Sequence, residues 1–388
     1  IQRRFEMELT IVYIIIVLLL AFTSNNKGVN ILLVLTLYLL LAFEHSDQDY
    51  LVYVKSYDTV GAGNILELLG YEPSFFLFCM LGNKYGLSFD AARAIICLFE
   101  VFAIWSTIKV FTNKIACVIA LFLIFPATAD AELFRWLAGM CVVIFALPYL
   151  IRGESKWDYL MYSSLVVIAT TLHTSCLFFI LYNLLCIKDR KILSIVVLIA
   201  FIVLFVTAQT RLLYKIIAFL PIPDTLNDKF QLTGESNIFG LIGLTIRYFF
   251  VLSLGYFIYI KSYFIAKKSI KSFEHFSFNR FKYPQYEMSV LLFNKLFSIN
   301  IISLLLIVIA IYTPQVQRLF HVLLFINYVA AVSLYKESKN KSVLTVAFLC
   351  CIITLLLHLI NGEQNVAILL SHFKEGFLVN LISCINNW

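Results

Sequence analysis

Long apolar runs, separated by short polar gaps, make up almost the whole chain. Three of the longest are Phe89 to Phe111, Ile238 to Ile260 and Val290 to Ile311. A helix needs about 20 apolar residues to cross the hydrocarbon core of a bilayer, and 388 residues leave room for about 12 such helices. The runs lack the two-residue alternation of membrane β-barrels. The sequence therefore predicts an all-α, polytopic membrane helical bundle.

The composition excludes several other classes of protein. Hydrophobic residues make up 61% and charged residues 14% of the chain, against about 45–50% and about 25% in soluble proteins. The nine cysteines include no CxxC pair and are interpreted as small buried hydrophobes rather than disulfides or metal ligands. No P-loop and no GxGxxG motif is present, so we predict neither a metal nor a cofactor. The net charge of +7 needs no nucleic-acid partner, because the excess lies in loops beside apolar helices.

The basic residues fall into two populations. Tight clusters such as 188–191 and 336–339 occupy every second gap between apolar runs, whereas single arginines such as Arg135 and Arg318 occupy the others. Clustered basic loops mark the cytoplasmic side, so we expect the amino terminus and the single arginines outside. The prediction is one membrane domain, 1–388, with outer loops 44–72 and 209–237, a basic cytoplasmic loop 261–288 and an outer tail 361–388.

The segment 157–187 is too short for two ordinary spans. Read as a hairpin, it goes out from Tyr159 to Leu172, turns at His173 and returns from Ser175 to Ile187. Read as one span, it would put the basic cluster 188–191 outside and invert every later loop. The positive-inside rule favours the hairpin.

Basic residues on the predicted outer side form the first candidate site. An arginine costs about 2.5–3.5 kcal/mol at the centre of a membrane helix, so such residues tend to line water or a polar ligand. Several guanidinium groups at one mouth suit a phosphate or pyrophosphate. Taken singly, each arginine could instead reach lipid headgroups or pair locally, as Arg135 could with Glu132. The candidates are Arg93, Arg135, Arg211, Lys215, Arg247, Arg318 and His321.

His173, at the predicted hairpin tip, has two interpretations. As a functional group it would accept a proton, or donate a hydrogen bond to a sugar or phosphate. As a structural group it would cap the hairpin by bonding a carbonyl at a helix end.

The first outer loop combines aromatic and acidic side chains. Tyrosines at helical spacing beside carboxylates suit a sugar, which stacks on the rings and donates its hydroxyl protons. An interfacial tyrosine belt gives the same stripe. The candidates are Tyr50, Tyr53, Tyr57 and Tyr71, with Asp49, Asp58 and Glu72 as possible general bases.

Four short motifs follow one another on the predicted outer face. They are Asp49-Tyr50-x-x-Tyr53, Tyr71-Glu72-Pro73-Ser74-Phe75, Phe134-Arg135-Trp136-Leu137-Ala138 and Ala169-Thr170-Thr171-Leu172-His173-Thr174-Ser175. In this order they resemble the EpsG family, which groups with the Wzy-type polymerases of O-antigens, capsules and exopolysaccharides. Two positions depart from the family pattern: its glutamine is Trp136 here, and the arginine that usually precedes Asp-Tyr is replaced near His45.

The resemblance implies a glycosyltransferase, with a GT-C-like bundle as one option. It would polymerise undecaprenyl-pyrophosphate-linked repeat units on the outer face of the bacterial plasma membrane. Arg135, Arg318 and Arg211 would stabilise the pyrophosphate leaving group. A carboxylate or His173 would take the proton of the acceptor hydroxyl. The implied partners are these lipid-linked glycans, membrane lipids, a Wzz-type chain-length regulator and a flippase.

Other functions stay open at this point. A flippase or transporter needs polar groups at the bilayer midplane, whereas the ionisable residues singled out above lie at the outer ends of the runs. A membrane acyltransferase would use His173 as the catalytic group, but no polar track leads towards the cytoplasm. A non-catalytic scaffold would leave the arginines unexplained.

Overall fold

The structure, a computed structural model, describes residues 26–43, 48–61, 72–209, 238–270, 284–312 and 318–360, together with Leu19 and Ala21. In this part of the chain the regular secondary structure is helical throughout, which confirms the predicted all-α bundle. The longer helices are α1 Lys27–Ala42, α2 Gln48–Gly61, α3 Pro73–Lys84, α4 Phe89–Phe111, α5 Ile115–Phe122, α6 Phe134–Arg152, α7 Lys156–Leu172, α8 Arg190–Gln209, α9 Ile238–Ile270, α10 Pro284–Tyr312, α11 Leu319–Ser338 and α12 Lys341–Ile360.

Seven of the described helices are long and apolar enough to cross a membrane. They are α4, α6, α8, α9, α10, α11 and α12. Three shorter apolar stretches accompany them: α1, Ile115–Asp130 and Thr174–Cys186. The predicted first run, Leu9 to Phe22, lies outside the described residues except for Leu19 and Ala21. The number of about 12 spans stays a prediction.

Helix α11 forms the centre of the bundle. Every residue from Leu319 to Leu334 is buried, and the helix packs against α5, α9, α10 and α12. A helix that is apolar on all sides belongs in a protein interior, and α11 has this pattern. Its first turn carries Arg318 and His321 to one end of the bundle.

The segment after α6 forms two antiparallel legs, as the hairpin interpretation predicted. The first leg is α7, and the second is a 3-10 helix, Thr174–Cys186. The Tyr162 hydroxyl donates to the Phe179 carbonyl at 2.8 Å, and the Asn183 side chain donates to Ser163 at 2.8 Å. The legs match in length: 17 α-helical residues rise about 26 Å, and 13 residues in 3-10 form rise about 26 Å.

The two basic populations lie at opposite ends of the bundle. Helix α6 runs about 26 Å from Arg135 to Arg152. Near Arg152, the ammonium group of Lys295 contacts the Arg152 carbonyl at 3.4 Å, and Arg190 donates to the neighbouring Asn294 carbonyl at 2.9 Å. The basic cluster 188–191 therefore lies at the end opposite Arg135. Which end faces the cytoplasm stays a prediction.

Several predicted loops fall partly or wholly outside the described residues. Residues 210–237 and 361–388 do so completely. Helix α2 lies within the predicted outer loop 44–72. Both ends of the predicted cytoplasmic loop 261–288 are helical, since α9 continues to Ile270 and α10 begins at Pro284.

Candidate functional site

Glu72 links three elements at the Arg135 end of the bundle. It precedes Pro73, the first residue of α3, where the fixed φ of proline suits a helix start. Its Oε2 atom accepts a hydrogen bond from Arg135 Nη1 at 2.7 Å, and its Oε1 atom accepts one from the Thr174 backbone N–H at 3.1 Å. Arg135 thus forms its ion pair with Glu72. It does not pair with Glu132, the nearby residue in sequence that was considered as a local partner.

The tyrosines of α2 pack inwards. Tyr57 is 2% exposed and its hydroxyl donates to the Leu87 carbonyl at 2.9 Å, while the Tyr50 hydroxyl donates to Asp90 at 3.0 Å. The Tyr57 ring is therefore covered by protein, and its role in binding a sugar stays a prediction. Its neighbours are the aromatic cluster of Tyr53, Phe75, Phe78, Phe89 and Phe134.

Arg135 lies over this aromatic cluster. Its guanidinium carbon is 5.4 Å from the centre of the Tyr53 ring and 5.2 Å from that of Phe75, which are cation–π distances. The charges of Asp49 and Arg318 both act on the Tyr53 hydroxyl. Asp49 lies one turn before Tyr53 on α2 and Arg318 directly precedes α11, so both lie at the Arg135 end of the bundle, where the Arg135 side chain is 26% exposed.

His173 caps the hairpin, but with the opposite polarity to the expected cap. Its Nδ1 atom accepts a hydrogen bond from the Ser175 backbone N–H at 3.3 Å. A neutral imidazole with an acceptor Nδ1 carries its proton on Nε2. In this arrangement His173 presents a donor, which suits a hydrogen bond to a sugar or phosphate and not the role of proton acceptor.

Gly139 allows α6 to approach the hairpin tip closely. A Cβ atom at this position would lie 2.7 Å from the Cys176 sulfur, 3.2 Å from the Ala169 carbonyl and 3.5 Å from His173 Cβ. Real Cβ atoms do not approach a sulfur to 2.7 Å. The absence of a side chain therefore fixes how near His173 comes to α6.

A second group of polar side chains lies on the other side of Trp136. The Trp136 ring meets His173 edge-on at 5.5 Å, and its Nε1–H donates to Asp130 Oδ1 at 3.1 Å. Asp130 also contacts His321 Nδ1, at 2.8 Å through Oδ1 and 2.9 Å through Oδ2. Asp130 is fully buried, and His321 is 3% exposed.

Two further candidate arginines are buried at this end. Arg247 is 4% exposed; its Nη1 lies 3.5 Å from His358 Nδ1 and its guanidinium 5.9 Å from the Phe320 ring. Arg93 is 2% exposed and donates to the Ala131 carbonyl at 2.8 Å. Arg318 directly precedes α11 at this end, and its carbonyl accepts a hydrogen bond from the His321 N–H at 2.9 Å.

The structure says less about the remaining candidate residues. Tyr71, Arg211 and Lys215 lie outside the described residues, and Asp58 is exposed. Among the described residues no group of three or more His, Cys, Asp or Glu side chains is arranged to hold a metal ion.

Sequence reasoning missed Asp130, His358 and Glu100. Each is an ionisable residue inside or directly after an apolar run. Such residues are costly in a membrane and tend to be functional. The sequence carries this signal, but the prediction considered mainly the arginines at the outer ends of the apolar runs.

The comparisons with known proteins agree with the motifs. The profile of the EpsG family matches residues 29–369, most of the chain. The chain belongs to the EpsG family. Neither a curated protein nor a solved structure matches it. EpsG-family proteins are similar to Wzy-type polymerases, so membership indicates a membrane enzyme of polysaccharide biosynthesis.

The site explains how this EpsG-family protein accommodates Trp136 in place of the glutamine of the family pattern. The indole N–H supplies a donor to Asp130, and the ring fills the space against His173. A glutamine amide would also offer an N–H donor there.

Proposed function

We propose that this EpsG-family protein is a glycosyltransferase that polymerises undecaprenyl-pyrophosphate-linked oligosaccharide repeat units on the outer face of the bacterial plasma membrane. The supporting observation is the partly exposed Arg135 guanidinium, held by Glu72 at the same end of the bundle as Arg318. The substrates are a growing lipid-linked glycan as donor and a single lipid-linked repeat unit as acceptor. Membrane lipids surround them, and a chain-length regulator of Wzz type and a flippase would act beside the enzyme.

Arg135 and Arg318 stabilise the leaving group in this proposal. Negative charge grows on the pyrophosphate as its bond to the donor sugar breaks, and positioned cations stabilise that charge. A guanidinium group suits the task, because its planar N–H groups match two phosphate oxygens at once. These cations come from the protein, so the proposed reaction needs no metal ion.

Glu72 positions Arg135 before the substrate binds. Both of its oxygens accept hydrogen bonds, one from a cation and one from a backbone amide. Both oxygens are thus occupied as acceptors before a substrate arrives. Glu72 is therefore better suited to orienting the guanidinium than to taking a proton.

Deletion of the chain tests the proposal directly. We expect the glycan ladder of the cell surface to disappear on a gel while material of one repeat unit remains. Arg135→Ala should give the same pattern with the protein still inserted in the membrane. Normal chain lengths in either strain would refute the polymerase assignment.

One observation favours transport as the second candidate. Glu100 lies at the midpoint of α4, is 3% exposed and has the buried Cys97 thiol as a neighbour. A buried acid at mid-span is typical of transporters, and it weakens the sequence argument that ionisable residues crowd the outer ends. Loss of repeat-unit translocation in a Glu100→Gln strain, with polymerisation intact, would favour this alternative.

A further inference from the structure

Asp130 and His321 form a buried pair 191 residues apart in sequence. Asp130 ends the last helical turn after α5, and His321 lies in the first turn of α11. We propose that His321 is the base that takes the proton of the acceptor hydroxyl, and that Asp130 is its positioning residue. This inference rests on the proposed function.

The contacts of the pair fix which ring nitrogen can act. An ionised carboxylate only accepts hydrogen bonds, so His321 Nδ1 donates its hydrogen to Asp130. The neutral ring then carries a lone pair on Nε2. Trp136 Nε1–H donates to the same carboxylate and holds it in place. A histidine oriented through Nδ1 by a carboxylate is an arrangement that enzymes use for general bases.

The other candidate bases are engaged differently. His173 Nδ1 accepts from Ser175, which leaves its Nε2 as a donor. Glu72 uses both oxygens on Arg135 and Thr174. Of these three groups, His321 alone is held in the form that can accept a proton.

The proposed step balances as follows. The acceptor oxygen forms a bond to the anomeric carbon of the donor sugar, and the bond between that carbon and the pyrophosphate oxygen breaks. The hydroxyl proton passes to His321 Nε2, and the electron pair of the broken bond leaves on the pyrophosphate. The imidazolium later returns its proton to water.

The surroundings of His321 suit a site closed to bulk water. The Phe125 ring meets His321 edge-on at 5.1 Å and contacts His358 at 5.6 Å. Asp130 contacts His321 directly, and His321, Arg247 and Arg318 all act electrostatically on the neighbouring His358. Arg318 precedes His321 by one turn and is only partly buried, so the acceptor enters from that side.

The test uses purified full-length protein in liposomes. The probe is the lipid-pyrophosphate fraction extracted from cells that lack this chain, and the initial rate of chain growth is measured against its concentration and against pH. We expect His321→Gln to lower kcat by about 10²–10⁴-fold with little change in KM, as for loss of a general base. Asp130→Asn should lower kcat less and move the acidic limb of the rate profile towards lower pH.

The matched control is Asn327→Ala, a buried polar residue on the same helix that donates to the Val251 carbonyl at 2.8 Å. It should keep the wild-type profile, and thermal unfolding in detergent checks that each variant is folded. Should His321→Gln fail to fold, the Asp130→Asn profile decides.

Each outcome has a separate meaning. An unchanged acidic limb in Asp130→Asn, a near-normal rate in His321→Gln, or loss of the limb in His173→Gln instead would overturn the assignment of His321. If the wild-type protein makes no polymer from this fraction, the proposed function itself has failed.

Discussion

Glu72 and Arg135, 63 positions apart in sequence, meet in an ion pair of 2.7 Å. Because Glu72 also binds the Thr174 amide, this one carboxylate ties the starts of α3 and α6 to the hairpin tip. The direction of the guanidinium group is thus set by tertiary structure, before any substrate arrives.

Arg135→Lys tests whether the guanidinium fork matters beyond its charge. The lysine keeps a cation beside Glu72 but gives up the paired N–H groups. We expect polymerisation to fall by about 10–100-fold, since a hydrogen bond to a charged group is worth about 1.5–3 kcal/mol. Arg152→Lys, at the other end of the same helix, is the control, and equal losses in both variants would contradict the prediction.

Two substitutions of Glu72 should separate its charge from its hydrogen bond to Thr174. Glu72→Gln removes the ion pair, worth about 1 kcal/mol for a partly exposed partner, and keeps an acceptor for the amide. Glu72→Ala also leaves the Thr174 N–H without an acceptor, which adds about 1–3 kcal/mol. Thermal unfolding in detergent should rank wild type above Gln and Gln above Ala. Identical melting of both variants would mean that the Thr174 bond contributes nothing.

Gly139→Ala should destabilise the contact between α6 and the hairpin by about 1–3 kcal/mol, the usual cost of overpacking. The clash is with the Cys176 sulfur, so Cys176→Ala should restore part of the loss in the double variant. A double-mutant cycle on the unfolding free energy measures this coupling. Simple additivity of the two changes would show that the helices move apart instead.

Two substitutions of Trp136 should rank differently in stability and in activity. Trp136→Phe keeps most of the buried volume but removes the donor to Asp130, whereas Trp136→Gln keeps an N–H donor and opens a cavity that costs about 3–5 kcal/mol. We expect Phe to be the more stable variant and Gln the more active per folded molecule. If Phe is superior in both respects, the bond from position 136 to Asp130 has no part in the reaction.

A pH effect on stability is expected at the polar turn between α6 and α7. Hydrogen bonds from Arg152, together with those of Ser155 and Glu154, lower the pKa of Asp158 from 3.8 to about 2. A lowered folded-state pKa stabilises the fold above the unfolded value, and this contribution is lost as pH falls towards the folded value. The melting-temperature gap between wild type and Asp158→Asn should therefore be full at neutral pH and close between pH 3.8 and about 2. A constant gap across that range would contradict this account.

Hydropathy predicted the helices well because a bilayer requires a whole helix-length segment to be apolar. The span Phe89 to Phe111 matches α4 at both ends, and the hairpin at His173 is where the charge pattern required it. The local form of the second leg was not predictable, since hydropathy does not distinguish α from 3-10 geometry.

The site was less predictable than the fold. Arg135, Arg318 and Glu72 were identified because their types are rare beside apolar runs. Their partners were not, because contacts such as Asp130 with His321 join residues that only tertiary packing brings together. The neighbours of the α2 tyrosines were not predictable for the same reason: a helical repeat shows that residues share a face but not what covers that face.

The length of the returning leg, Thr174–Cys186, depends on its 3-10 geometry. The same 13 residues in α form would rise about 0.5 Å less each and fall about 6 Å short. The Thr174 amide would then be drawn away from Glu72. A change of the returning leg to α geometry would therefore separate the hairpin tip from the carboxylate without altering any side chain of the site.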